Sequence, residues 1–127
     1  MYKRQAHVGA DQRPVVDRLV AAADCGRQVN PDLVRQQIEG GLIFGMATAL
    51  GAATGYGGGL PTARGFDTLR LPRLADSPDI TVELIRSDEA PGGVGELGVP
   101  AVAPAIANAL QAATGVRLRG LPLTPGT

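Results

Sequence analysis

The chain of 127 residues has no tryptophan, two phenylalanines, two tyrosines, one cysteine and one histidine. A lone Cys25 excludes an internal disulfide and a thiolate-based zinc site, so cysteine content points to no oxidising compartment. A His-based metal centre or a Ser-His-Asp triad would have to run through His7, in an N-terminal stretch with no other chemistry around it. Charge of one sign is missing as well, because twelve Lys and Arg balance twelve Asp and Glu. Without a net field the chain has nothing to hold a phosphate backbone or an anionic membrane surface, and nucleic acid is not an expected partner. Long apolar runs are absent too. The longest charge-free stretch, residues 40–63, is broken by Thr48, Thr54, Tyr56, Pro61 and many glycines, so its continuous apolar part falls short of the ~20 residues a span requires. The N-terminal residues are polar and lack the apolar region of a signal peptide.

What the chain has instead is 18 glycines, 10 prolines and 44% apolar residues. A core filled by Ala, Val and Leu and cut by many turns is lean for this length, which suits a part that packs against something else.

Residues 14–24 mix apolar and polar positions, with Val15, Val16, Leu19 and Val20, and read as a strand ending in an Asp24-Cys25-Gly26-Arg27 turn. Asn30, Pro31 and Asp32 then form a strong helix start, and apolar positions at Leu33, Val34, Ile38, Leu42, Met46, Ala49 and Leu50 predict a helix over 31–50. Beyond Gly40 this helix is apolar all round, which predicts burial in a larger body. Its interior glycines suggest a backbone or ligand at close range. Residues 66–71 and 80–85 read as further strands. A helix is expected from Pro104 to a left-handed cap at Gly115, followed by a short strand or extended tail over 116–121. The fold class is α+β, with mixed strands, one long buried helix and one short C-terminal helix.

The stretch Gly93-Val94-Gly95-Glu96-Leu97-Gly98 matches a dinucleotide-binding spacing, but no strand leads directly into it and no acid follows Glu96 to hold a ribose. That context argues against a nucleotide site. Glu96 is the lone carboxylate in the run 90–116. It reads either as a solvated loop residue or as a general base whose affinity for protons is raised by apolar surroundings and approachable glycine backbone.

Four segments in register resemble one known family: Asp24-Cys25-Gly26-Arg27-Gln28-Val29-Asn30-Pro31-Asp32, Gln37-Ile38-Glu39-Gly40-Gly41, Pro91-Gly92-Gly93-Val94-Gly95-Glu96, and Ala105-Ile106-Ala107-Asn108-Ala109-Leu110 running on to Leu118-Arg119-Gly120-Leu121-Pro122. Together they resemble the C-terminal end of the molybdopterin-binding large subunit of the xanthine dehydrogenase and aldehyde oxidase family, nearest to the isoquinoline 1-oxidoreductase beta subunit group. The resemblance implies oxidation of an N-heterocycle or aldehyde with oxygen drawn from water. It implies a molybdopterin-type molybdenum cofactor in its cytosine dinucleotide form, whose dithiolene rather than the protein holds the metal, and iron-sulfur clusters in a small partner subunit. By the same resemblance Glu96 is the base that takes a proton from the attacking oxygen, Gln37 hydrogen-bonds the cofactor through its amide, and Gly93 and Gly95 shape the loop that presents Glu96. Glu39 is assigned to a structural pairing with Arg35 or a backbone amide, and Cys25 to a buried, inert position.

The resemblance covers residues 14–123, the C-terminal part of a molybdopterin-binding domain, and leaves 124–127 as a tail. Residues 1–13 are unmatched, and Tyr2-Lys3-Arg4-Gln5 looks like a cloning remnant, so a truncated reading frame is expected. Leu97 stands where the subgroup usually has proline. The remaining large-subunit polypeptide is an implied partner. The competing reading is an orphan fragment with a structural or subunit-interaction role and exposed apolar surface along 40–50. Cytoplasm and periplasm are both open.

Overall fold

In order along the chain, the elements are β1 (Lys3–Val8), β2 (Pro14–Ala23), α1 (Pro31–Leu50), the two-residue strands β3 (Tyr56–Gly57) and β4 (Leu60–Pro61), a 3-10 turn (Leu74–Asp76), β5 (Asp79–Leu84) and α2 (Val99–Thr114). The structure is a computed structural model that describes residues 3–11 and 13–124. Of the N-terminal stretch expected to be unmatched, residues 1, 2 and 12 lie outside the described residues, as do 125–127 of the tail. Residues 3–8 do have a structural place, pairing antiparallel with β2.

The main sheet has the order β1-β2-β5, with β2 parallel to β5. The mixed pattern of β2 has a physical cause. Register jumps from Gln5 opposite Arg18 to Ala6 opposite Val16, leaving Asp17 as the extra residue of a bulge. Side chains therefore change parity there: Val16 faces the core before the bulge, and Leu19, Ala21 and Ala23 face it afterwards. Asp17 points outward and its Oδ2 lies 2.9 Å from His7 Nδ1.

α1 has the boundaries its sequence predicts. Asn30 is extended and its Oδ1 accepts from the Leu33 N–H at 3.1 Å, while Pro31 fills a first-turn position where no amide donor is needed. Asp32 receives Arg35 Nη1 at 3.0 Å, so Asp32, and not Glu39, is the partner of Arg35; an acid preceding its base along the helix is the favoured order. Ile38, Leu42, Met46 and Ala49 form the buried face and join Val102, Ile106 and Leu110 of α2 in the core cluster with β2 and β5. The mixed strands and two helices make the α+β arrangement expected.

Two expectations fail. α2 starts at Val99 rather than Pro104, which lies inside the helix on its exposed side. Pro100 takes the first-turn role instead, and Val102, 1% exposed, binds the early turn into the core. The C-terminal helix is consequently 16 residues long and not short. Residues 66–71 form no strand, because no strand lies beside them to complete a ladder. They coil through Thr68 N–H to Gly65 O and Leu69 N–H to Phe66 O, with Phe66 82% exposed. Residues 116–121 are the extended tail, one of the two forms expected, after Gly115, whose φ of 77° is the left-handed cap expected. Leu123 N–H then donates to Ala49 O, returning the tail to the end of α1.

Candidate functional site

The turn after β2 and the glycine loop before α2 lie against each other. Asp24 Oδ1 accepts from the Gly26 N–H at 3.1 Å, an Asx turn that puts Gly26 at φ +73°. A side chain there would strike Ala90 O at 2.2 Å, so glycine is required by close approach as well as by φ. The two segments are tied by Arg27 N–H to Glu89 O at 2.9 Å and Gly92 N–H to Cys25 O at 2.7 Å. Gln28 Nε2 adds a bond to Ile85 O at 2.8 Å. Cys25 is buried, as expected.

The loop then reaches α1. A Cβ on Gly98 would lie 2.8 Å from Ile38 O and 2.9 Å from Leu42 N, and one on Gly45 would lie 2.6 Å from Val99 O. These contacts are backbone, which cannot swing aside, so glycine alone permits this crossing. The close neighbour inferred from interior glycines is thus found at Gly41 and Gly45. Val99 N–H donates to Glu96 O at 3.0 Å, placing Glu96 in the turn that opens α2.

Between turn, loop and the first turns of α1 is a groove of about 510 Å³, a usual size for a small-molecule site. Gln37 and Gly95, expected at one site, both line it; Gly93 and Glu96 adjoin the lining without belonging to it. Glu96 is exposed rather than enclosed by apolar residues. Arg27 and Asn30 also line the groove. The Arg27 guanidinium has no ion-pair partner among the described residues; it stands in the first of the four resembling segments, where the resemblance assigns it no role. A larger hollow of about 750 Å³, lined by Arg13, Asp17, Arg70, Arg73 and others, holds none of the expected residues.

Among the described residues no group of three or more His, Cys, Asp or Glu could hold a metal ion, and no helix is long and apolar enough to cross a membrane. A cofactor that brings its own metal ligands needs hydrogen-bonding groups and approachable backbone from the protein. The groove offers what such a cofactor needs from protein: an amide donor and acceptor at Gln37, an unpaired cation at Arg27, and bare backbone at Gly95, where a Cβ would meet nothing within 4 Å.

A family model described as the molybdopterin cofactor-binding domain matches residues 12–78, more than half of the chain. The chain belongs to that family. It is 38% identical over 122 residues to the membrane-bound aldehyde dehydrogenase (pyrroloquinoline-quinone) of Gluconacetobacter polyoxogenes, covering 95% of this chain and 16% of that protein. It is 38% identical over 110 residues to isoquinoline 1-oxidoreductase subunit beta of Brevundimonas diminuta, covering 87% of this chain and 14% of the relative. The crystal structure of quinoline 2-oxidoreductase from Pseudomonas putida 86 superposes with a TM-score of 0.79 at 25% identity, over 88% of this chain and 15% of that one. The chain therefore spans about one-seventh of the relatives it matches, and corresponds to a segment of the large subunit.

Proposed function

We propose that the chain, over residues 14–123, supplies the general-base end of a molybdenum hydroxylase that oxidises an N-heterocycle or an aldehyde with water as the oxygen source. The observation that carries this reading is the groove that brings Gln37 of α1 beside Gly95 of the glycine loop, one residue from Glu96. When bound, the molybdenum cofactor supplies a two-electron acceptor and a centre that activates water-derived oxygen. Gln37 binds and orients the cofactor through its amide. Arg27 offers a cation to an anionic part of the same ligand, which fits the cytosine dinucleotide form. Gly93 and Gly95 keep the loop backbone open, and the Glu96 carboxylate accepts a proton at one of its oxygens. A small partner subunit carrying iron-sulfur clusters would supply the route for electrons.

The test uses the assembled large subunit and its partner. Glu96→Gln keeps the size of the side chain and removes the base, so turnover falls by about 10²–10⁴-fold while molybdenum and pterin content stay at the wild-type level. Unchanged turnover overturns the assignment. The alternative, a structural or subunit-interaction segment with no activity of its own, draws support from the apolar side chains left exposed on α1, Leu33 and Phe44. It requires turnover to be indifferent to Glu96 and Gln37.

A further inference from the structure

Three glycines interrupt the interior of α1, each weakening the helix relative to alanine. Two have neighbours within the chain: a Cβ on Gly45 would strike Val99 O at 2.6 Å, and one on Gly41 would be in ordinary contact with Gly98 N at 3.4 Å. The third has none. A Cβ on Gly40 would have nothing within 4 Å.

Gly40 belongs to the stripe Leu33, Gln37, Gly40 and Phe44, whose i, i+4, i+7, i+11 spacing puts all four on one side of the helix. This side is opposite Ile38, Leu42 and Ala49 and carries no charge. Leu33 is 53% and Phe44 68% exposed, an unusual pair to leave in water around a bare backbone patch. Leu33 and Gln37 also line the groove, so the stripe forms its outer rim. Polypeptide to cover it is available, because the relatives are mostly composed of chain that this segment does not match.

We propose that the stripe is the surface on which the remainder of the large subunit docks. A backbone segment of that remainder lies directly on Gly40, with uncharged apolar side chains gathered around Leu33 and Phe44, and so supplies the outer wall of the groove. The inference rests on reading this chain as a large-subunit segment, and does not depend on the role of Glu96.

The experiment co-expresses this chain with isoquinoline 1-oxidoreductase subunit beta of Brevundimonas diminuta lacking its matched segment, in cells making no molybdenum cofactor, and measures complex mass and affinity. A one-to-one complex is expected, weakened at least tenfold by Gly40→Leu and by Phe44→Asp and unaffected by Phe66→Ala on the distant connector. In the chain alone, Gly40→Ala raises the melting temperature by about 4 °C, because the site is open and alanine favours helix; this shows that the complex, and not folding, demands glycine. No complex, a complex indifferent to Gly40→Leu, or a dimer of this chain through Phe44 each overturns the proposal. Binding is read without cofactor, so failure here leaves the Glu96 assignment standing, and loss of that assignment leaves this surface standing.

Discussion

On its inner side α1 presents Gly41 and Gly45 to the glycine loop and α2; at Gly45 a Cβ would lie 2.6 Å from Val99 O and no side chain can be added, and Met46 is buried in the core. On its outer side it presents Gly40 and Phe44 to nothing in the chain. Glycine thus occurs in a closed contact and in an open one within the same helix. Gly45 marks a close neighbour within the chain, and on the docking proposal Gly40 marks one outside it.

The comparison can be broken at several strengths. Met46→Ala, at a side chain 1% exposed, is expected to cost about 3 kcal/mol in denaturant unfolding, whereas Phe44→Ala, a larger deletion on the open side, changes stability by less than about 0.5 kcal/mol. Equal effects would mean that the two sides are packed alike. Gly45→Ala forces a methyl toward Val99 O and is expected to destabilise by about 2 kcal/mol, with α2 shifting away from α1 in amide chemical shifts. Gly40→Ala has the opposite sign, a gain of up to about 1 kcal/mol in the isolated chain. The smallest effect lies on the connector. The Arg73 side chain hydrogen-bonds Asp76, with a further bond from the Arg73 N–H, and holds the Asp76 carboxyl below its ordinary value. A depressed carboxyl stabilises above its unfolded value of about 3.9 and loses that contribution as pH falls through the folded one. The stability difference between wild type and Asp76→Asn is therefore present at neutral pH and fades below about pH 4. It is small, because the pair is exposed.

How much was legible in the sequence depended on how local the cause was. α1 was readable to both ends because Asn30, Pro31 and Asp32 act within one turn of themselves. The Gly115 cap was readable for the same reason. The start of α2 was misplaced because Pro100 and Pro104 are equally good first-turn residues by local rules, and the burial of Val102 decides between them. Residues 66–71 have strand composition, but a strand exists only through a partner, and none is beside them. Of the residues named by motif resemblance, Gln37 and Gly95 line the groove while Gly93 and Glu96 adjoin it; Arg27 stands in a resembling segment without an assigned role, and its place in the lining shows only once the turn packs against the glycine loop.

The sequence by itself determined the long capped helix, the turn chemistry after β2, the family, and a glycine loop carrying a lone carboxylate, since each is written in neighbouring residues or in a motif. Only the tertiary structure decided that the loop crosses α1 at glycine-on-backbone distance, that Gln37 and Gly95 share one groove, and that Gly40 faces outward. Those facts depend on segments distant in the chain meeting in space, and side-chain pattern alone does not encode which backbone a glycine will touch.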